Sequence, residues 1–187
     1  MGRPVFVFKE IETERLLLRK YCFTDAEAVF EMYNDDVAMK YAGPDIHSSI
    51  EDSGKFIRNV LSEHEKEKGI FWAIVLKENE KLIGDISITG IDYKHCCGTF
   101  GFFLSRNFWG QGLMSEAVSP VLRFAFENLH LNRIEAQISI FNLPTIRIVE
   151  KNGFLKEGVQ RENFLVEGKL TDSYFFAVLR TEIPLKF

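Results

Sequence analysis

The fold of this chain is decided by residues 107–114, Asn107-Phe108-Trp109-Gly110-Gln111-Gly112-Leu113-Met114. The Phe-rich stretch Thr99–Ser105 before it predicts a strand, and the apolar periodicity of Gly112–Leu129 after it predicts a helix. Glycines at positions 110 and 112 let backbone N–H groups turn toward one point without obstruction by a Cβ atom. The helix that follows adds the positive end of its dipole. These residues therefore predict an anion site where the helix begins, although a plain strand-to-helix turn explains two glycines equally well.

Three kinds of anion site compete for this stretch. A P-loop is excluded because the pattern GxxxxGK[ST] occurs nowhere in the chain. A dinucleotide fingerprint needs Gly or Ala where Ser115 stands and an acidic residue about 20 positions later, which Glu135 supplies. That fingerprint normally opens a βαβ unit with parallel strands to follow, and about one such unit fits in the remaining residues. The third kind of site binds the pyrophosphate of coenzyme A.

Composition places the chain among globular proteins and argues against some function classes. Its 187 residues fit one domain over residues 1–187, because no linker, repeat or low-complexity tract divides them. The 18 Phe residues exclude a disordered chain, since such chains are poor in aromatic residues. The 27 acidic residues outnumber the 23 basic ones, whereas proteins that coat nucleic acid carry a basic excess. We therefore expect a globular protein without a nucleic-acid partner.

Short apolar and cysteine patterns indicate a cytoplasmic protein. No apolar run approaches the 18 residues of a membrane span, so we expect no membrane partner. The apolar run Val5–Phe8 is too short for the core of a signal peptide. The three cysteines, Cys22, Cys96 and Cys97, form neither a disulfide framework nor a CxxC pair that would hold a metal ion. We expect no metal cofactor.

Hydrophobic periodicity and turn residues predict a mixed α/β domain with a mostly antiparallel sheet. The predicted strands are Leu16–Leu18, Phe71–Leu76, Leu82–Thr89, Thr99–Ser105, Ile134–Ile140, Phe154–Gln160 and Tyr174–Arg180. The predicted helices are Thr24–Tyr33, Ser48–His64, Gly112–Leu129 and Asn142–Gly153. Capping boxes at Thr24–Glu27 and Ser48–Glu51 open the first two helices. Pro120 predicts a kink or a new start in the third helix.

A second motif, one strand after the glycine turn, decides among these possibilities. It reads Asn142-Leu143-Pro144-Thr145-Ile146-Arg147-Ile148-Val149-Glu150-Lys151-Asn152-Gly153-Phe154. With it, the chain resembles the GCN5-related N-acetyltransferase (GNAT) superfamily, in its RimJ/RimL-like branch that acetylates the N-termini of ribosomal proteins. The resemblance runs from Thr13-Glu14-Arg15-Leu16-Leu17-Leu18-Arg19 to Tyr174. The coenzyme-binding pattern of the family falls on Asn107, Gly110 and Gly112, and its later pattern falls on Asn142, Thr145, Glu150, Lys151, Gly153 and Phe154.

The resemblance implies the GNAT fold, with helices on both faces of the sheet and a splayed pair of central strands. The thioester of acetyl-CoA would lie between Phe100–Ser105 and Ile134–Ile140, and an amine would attack it directly, without an acyl-enzyme. The implied co-substrate is acetyl-CoA, with no metal. The implied coenzyme-binding residues are Phe103, Leu104, Phe108, Trp109, Gly110, Gln111, Gly112, Leu113, Met114, Asn142, Thr145 and Arg147.

The catalytic residues depart from two common family patterns. A Tyr that often protonates the leaving thiolate is replaced by Val149, and a Glu that often lies in the coenzyme strand is replaced by Thr at position 99. We predict that Thr145 takes the acid role, since related enzymes carry a Ser there. By its position after Gly153-Phe154, Glu162 is the candidate base. Asn142 is the third predicted catalytic residue, and it would lie beside the pantetheine and sulfur of the coenzyme.

The acceptor predicted from these features is an N-terminal α-amine of a ribosomal or other protein. An α-amine has a pKa of about 7.7–8.0, against about 10.4 for Lys, so a weaker base suffices. Two alternatives remain open: a small-molecule amine (a polyamine, antibiotic or amino acid), and a non-catalytic regulatory protein that binds CoA. We expect a monomer or homodimer whose acceptor lies between the first two helices and the strand at Tyr174–Phe176.

Overall fold

The computed structural model describes residues 7–42 and 46–183, which build one eight-stranded sheet in the order β1-β2-β3-β4-β5-β6-β8-β7. Its strands are β1 (Ile11–Glu12), β2 (Leu16–Arg19), β3 (Ile70–Leu76), β4 (Lys81–Asp92), β5 (Cys97–Leu104), β6 (Arg133–Ser139), β7 (Leu155–Val166) and β8 (Lys169–Leu179). The helices are α1 (Ala26–Tyr33), α2 (Asp36–Met39), α3 (Ile50–Glu65), α4 (Leu113–Glu127) and α5 (Leu143–Lys151). The prediction about a signal peptide concerns Val5–Phe8, of which residues 5 and 6 lie outside the described residues.

Helices cover both faces of the sheet, as predicted. Successive side chains of a strand point to opposite faces, and β3 shows the consequence. Trp72 and Ile74 pack in the core that α4 and α5 complete, whereas Ala73 and Val75 pack in a second core with α1 and α3. Every strand pair is antiparallel except β5 with β6. The prediction of a mixed α/β fold with a mostly antiparallel sheet is confirmed.

The two central strands separate shortly after they begin. The parallel pairing of β5 with β6 covers residues Cys97–Thr99 against Arg133–Glu135. Beyond Thr99, β5 continues to pair with β4 through Leu104, while β6 continues to pair with β8 through Ser139. A wedge-shaped gap therefore opens between two strands whose outer edges stay in the sheet, which is the predicted splay.

Several helix boundaries differ from the predictions. A short 3-10 turn precedes α1, and its capping box joins Cys22 to Asp25 rather than Thr24 to Glu27. In α3 the cap is Ser49, whose hydroxyl accepts a hydrogen bond from the N–H of Asp52 at 3.2 Å, one residue later than predicted. Where several short polar residues are adjacent, the capping-box pattern fits at more than one position. The pattern alone therefore could not identify the capping residue.

Two further differences concern a break predicted in one helix and two short elements that were not predicted. Helix α4 continues through Pro120, so the predicted new start there is wrong. Its neighbours Val118 and Val121 are fully buried, and this packing offsets the hydrogen bond that the proline lacks. Strand β1 and helix α2 were not predicted, because two and four residues are too few to show a period. Among the described residues, no helix is long and apolar enough to cross a membrane.

Candidate active site

A cavity of about 610 Å³ lies in the gap between β5 and β6. The two splayed strands, the glycine turn with the first turn of α4, the start of α5, and the segment from α2 to Ala42 form its walls. The residues predicted to bind the coenzyme that line it are Phe103, Leu104, Phe108, Trp109, Gly110, Gly112, Leu113, Met114, Asn142, Thr145 and Arg147. The structure thus gathers residues of β5, the glycine turn and α5 around one space.

The glycine turn has the backbone shape that only glycine adopts readily. Gly110 and Gly112 have φ values of +75° and +76°, in the left-handed region that costs other residues energy. A Cβ atom on Gly110 would meet no atom within 4 Å. Gly112 is also the N-cap of α4 and supplies no side chain, so no capping side chain satisfies the first N–H groups of the helix. These groups are available to an anion.

An ion pair between Arg15, which precedes β2, and Glu116, in the first turn of α4, holds this turn. The Nη1 of Arg15 donates to the carbonyl of Gln111 at 3.0 Å, and its Nε donates to Oε2 of Glu116 at 2.7 Å. The hydroxyl of Thr13 and the N–H of Arg15 both donate to Oε1 of Glu116. Burial raises the pKa of Glu116, but the hydrogen bonds from Thr13 and Arg15 outweigh it and hold that pKa below its ordinary value.

Gln111 itself is not among the residues that line the cavity. Its side-chain amide donates to the carbonyl of Asn107 at 3.2 Å, and its own carbonyl accepts from Arg15. Its side chain thus braces the turn from the exposed side. Trp109 lies across the same turn, and its indole N–H donates to the carbonyl of Leu104 at 2.7 Å. This bond fixes the ring to the end of β5, where it forms part of the cavity wall.

The start of α5 places two polar side chains at the cavity. The side-chain oxygen of Asn142 accepts from the N–H of Thr145 at 3.3 Å and caps the helix. Asn142 and Thr145 are both partly buried and both line the cavity. One turn later Val149 is fully buried in the same wall and offers no proton. Thr145 therefore supplies the hydroxyl of α5 that faces this space.

Two predicted features lie elsewhere. Glu162 is exposed in a bulge of β7, with φ +50°, and its N–H donates to Oδ1 of Asp172 at 3.0 Å. It is not among the residues that line the cavity. Tyr174–Phe176 also lie outside the lining, because β8 is on the far side of β6. The acceptor was predicted to lie against β8. The cavity wall instead includes Lys40 and Tyr41, from the segment that follows α2.

The charged side chains among the described lining residues are Lys40 and Arg147. Lys40 forms an ion pair of 2.9 Å with Glu167 in the β7–β8 turn, and this hydrogen bond raises the pKa of Lys40. Arg147 is exposed and has no ion pair with another described residue. The described part of the lining therefore carries positive charge without a carboxylate.

A buried carboxylate lies under the cavity wall in the second core. Oδ2 of Asp85 accepts hydrogen bonds from the hydroxyls of Tyr33 at 2.6 Å and Tyr21 at 3.0 Å. Burial raises the pKa of Asp85 to about 6, although the two hydroxyl donors oppose the rise. The ring of Tyr33 stacks on Phe103, a lining residue, with centroids 4.8 Å apart. This network supports the wall but is not part of the lining. No cluster of three potential metal ligands occurs among the described residues.

Comparison with known proteins places these features in a family. The model of the acetyltransferase (GNAT) domain matches residues 15–155. The uncharacterized N-acetyltransferase p20 of Bacillus licheniformis is 32% identical over 170 residues, which cover 91% of this chain and 96% of that protein. The uncharacterized N-acetyltransferase YoaA of Bacillus subtilis is 31% identical over 174 residues, or 93% and 98% of the two chains. A crystal structure of a GNAT-family acetyltransferase from Bacillus anthracis, 28% identical, superposes with a TM-score of 0.82 over 93% of this chain and 100% of that one.

Proposed function

Because the chain belongs to the acetyltransferase (GNAT) family and is an acetyl-CoA-dependent N-acetyltransferase, we propose that its acceptor is the N-terminal α-amine of a protein, with ribosomal proteins as the first class to test. The cavity between β5 and β6, with the glycine turn in its wall, carries the placement of the coenzyme, and the lack of a carboxylate among its described lining residues carries the choice of acceptor. When bound there, acetyl-CoA supplies the activated acetyl thioester. The residues of this chain bind it, orient it and handle the protons.

The free edge of β5 suits an extended, polar ligand. After Thr99 the side of β5 that faces β6 has no strand partner, and backbone N–H and C=O groups without partners seek hydrogen bonds. The N–H of Leu104 would offer a hydrogen bond to an amide of the pantetheine arm, since the Leu104 carbonyl already accepts from Trp109 and the Phe103 carbonyl lies against Gly84 of β4. The N–H groups of the glycine turn would receive the pyrophosphate. Arg147, which has no carboxylate partner among the described residues, would bind a further phosphate.

The polar residues of α5 fit the proton and charge demands of the reaction. Negative charge develops on the thioester oxygen, and the departing thiolate leaves more easily when it is protonated. The capping bond uses the side-chain oxygen of Asn142, so its NH₂ group remains as a donor for the coenzyme. The Thr145 hydroxyl would pass its proton to the departing thiolate and take up, through water, the proton that the attacking amine loses, since Val149 has no proton to give.

The role of Glu162 as a base stays a prediction. Its carboxylate is exposed and its residue does not line the cavity, yet catalytic contacts often form only when substrate is bound. A base role requires that Glu162→Gln lowers kcat/KM while the Kd for CoA stays the same. An unchanged kcat/KM would indicate that the amine loses its proton to water instead. An α-amine does this more readily than a lysine side chain, because its pKa is lower.

The lack of a carboxylate among the described lining residues supports an acceptor with one reactive amine. A polyamine keeps further ammonium groups when one amine reacts, and the described lining offers no negative side chain to bind them. More distant relatives represent both acceptor classes. The ribosomal protein uS5-alanine N-acetyltransferase of Escherichia coli is 25% identical over 122 residues, and the spermidine N(1)-acetyltransferase of Vibrio cholerae is 21% identical over 168 residues. The lack of a carboxylate in the described lining favours the first class, and small amines with a single amino group are the second candidate.

An acceptor comparison tests this proposal. Release of CoA is measured with acetyl-CoA and four acceptors: a peptide with a free N-terminus and blocked lysines, the same peptide with a blocked N-terminus and free lysines, spermidine, and free amino acids. We expect the highest kcat/KM for the first peptide. Preference for spermidine or for lysine side chains would refute the α-amine assignment. No turnover with any acceptor, while CoA still binds, would indicate an acceptor outside the four classes.

A further inference from the structure

We propose that Thr13, Arg15 and Glu116 form a clasp that positions the glycine turn for coenzyme binding. The proposal rests on the coenzyme placement in the proposed function and adds residues that do not themselves line the cavity. In this role Arg15 and Glu116 are positioning residues: they act on the coenzyme through the backbone of the turn.

The clasp joins two parts of the chain that are far apart in sequence. Arg15 and Glu116 are separated by 101 positions, and the Glu116 carboxylate accepts hydrogen bonds on both oxygens. Oε2 accepts from the guanidinium of Arg15, whereas Oε1 accepts from the hydroxyl of Thr13 and from the N–H of Arg15. A carboxylate held by three donors from one segment fixes the first turn of α4 against the chain entering β2.

The same guanidinium also controls one peptide plane of the turn. Its Nη1 bonds to the Gln111 carbonyl, and its Nη2 lies 3.8 Å from the place where a Cβ on Gly112 would stand. In a trans peptide the C=O and the following N–H point in opposite directions. When Arg15 holds the carbonyl of Gln111, the N–H of Gly112 is therefore directed away from Arg15.

This peptide needs to be held because it joins Gln111 to a glycine. The wide backbone freedom of Gly112, and of Gly110 one residue earlier, would let the Gln111–Gly112 peptide sample several orientations without the bond to Arg15. Ordering it only when the coenzyme binds would cost conformational free energy, which weakens binding. With the clasp in place, that ordering is already present in the folded protein.

The clasp also balances charge near the anion site. Glu116 is in the first turn of α4, where its negative charge would repel a phosphate that approaches the same helix end. The Arg15 guanidinium, 2.7 Å away, compensates this charge. Glu116 is thus retained as an anchor without a net negative charge beside the turn.

The test compares four variants. Arg15→Ala and Glu116→Gln each break the clasp, whereas Arg15→Lys keeps the positive charge without the guanidinium fork. Arg19→Ala is the matched control, because Arg19 lies at the end of β2, the strand that follows Arg15, and pairs with Asp25 at 2.7 and 2.8 Å, and neither Arg19 nor Asp25 lines the cavity. For each protein we measure the Kd for CoA by calorimetry, Tm, and the rate of acetyl transfer from acetyl-CoA and from S-acetylpantetheine, which lacks the pyrophosphate.

We expect each of the three clasp variants to raise the Kd for CoA about 10- to 100-fold, the range for loss of a hydrogen bond to a charged group. Transfer from S-acetylpantetheine should stay within about twofold, because this donor does not use the turn. Arg19→Ala should lower Tm and leave the Kd for CoA unchanged.

Four results would overturn the clasp. Wild-type CoA affinity in Arg15→Ala would show that the turn does not need it. Equal losses with both acetyl donors would indicate general damage to the fold. Wild-type affinity in Arg15→Lys, or tighter binding in Glu116→Gln, would mean that Arg15 acts through its charge alone. If the wild-type protein itself binds no CoA, the coenzyme placement in the proposed function fails instead, and this result is distinct from the other four.

Discussion

The substitution Gly110→Ala separates the strain of the turn from its role in coenzyme binding, because the chain provides a matched control in Gly168. The two glycines have φ values of +75° and +76°, and a Cβ on either would meet no atom within 4 Å. The left-handed conformation costs an L-residue about 1–2 kcal/mol. We expect Gly110→Ala and Gly168→Ala to lose this same amount of unfolding free energy, a tolerable share of the about 5–15 kcal/mol typical of a domain.

The effect on CoA binding should differ between the two variants. Gly110 lines the cavity, whereas Gly168 is in the β7–β8 turn outside the lining. A phosphate oxygen must come within about 3 Å of a backbone N–H to bond to it, and a methyl group beside that N–H obstructs the approach. Loss of one hydrogen bond to a charged group costs about 1.5–3 kcal/mol. The Kd for CoA should therefore rise about 10- to 100-fold in Gly110→Ala and stay at the wild-type value in Gly168→Ala.

Two measurements check this prediction. Urea unfolding yields the free energy of unfolding of each variant, and calorimetry at one fixed ionic strength yields the Kd for CoA. A wild-type Kd in Gly110→Ala would refute the assignment of the turn as the phosphate site. An equal rise in Kd in Gly168→Ala would instead attribute the loss to general destabilisation. A β-branched residue, as in Gly110→Val, should abolish measurable binding, since it adds bulk to the same strained position.

The remaining predictions concern Thr145 and Asp85. Thr145→Val should lower kcat about 100-fold, the lower end for loss of an acid, and change the Kd for CoA much less, whereas Thr145→Ser should keep most of kcat. Equal kcat values for wild type and Thr145→Val in steady-state assays would exclude the acid role. For Asp85, burial raises the pKa in the folded state to about 6, above the ordinary aspartate value of 3.8, so the folded state binds the proton more tightly than the unfolded state does. Protonation of Asp85 therefore adds about 3 kcal/mol to the free energy of unfolding below pH of about 4, and this contribution is lost as the pH rises through about 6. Asp85→Asn should remove this slope from urea unfolding, and parallel pH profiles of variant and wild type would contradict it.

Local patterns were enough to predict most of the fold. The strand before Asn107 and the helix after Gly112 are visible because side-chain periods of 2 and 3.6 depend on neighbouring residues alone. The splayed pair of strands was an implication of the family resemblance, which two motifs carried. Short elements such as α2 were missed, since four residues do not show a period, and the capping residues of α1 and α3 were displaced by one or two positions.

The site was predictable where one continuous segment builds it. The glycine turn and the Asn142–Thr145 cap are each encoded within a few residues, and the structure places both in the wall of one cavity. The positions of Lys40 and Glu162 depend on how whole elements pack, which no short pattern contains. Lys40 lines the cavity because α2 lies across it, and Glu162 lies outside because β7 is at the edge of the sheet.

By itself, the sequence determined the family, the order of most elements and the residues of the anion turn, because these are properties of short segments. Only the tertiary structure decided what supports that turn. Thr13 and Arg15 lie about a hundred positions before Glu116. The family resemblance begins at this segment, but its local sequence does not indicate that it contacts the turn. Thr13 and Arg15 meet the turn because β2 and α4 pack in the same core. Packing therefore determines how firmly the coenzyme site is held, whereas the local sequence determines where along the chain it begins.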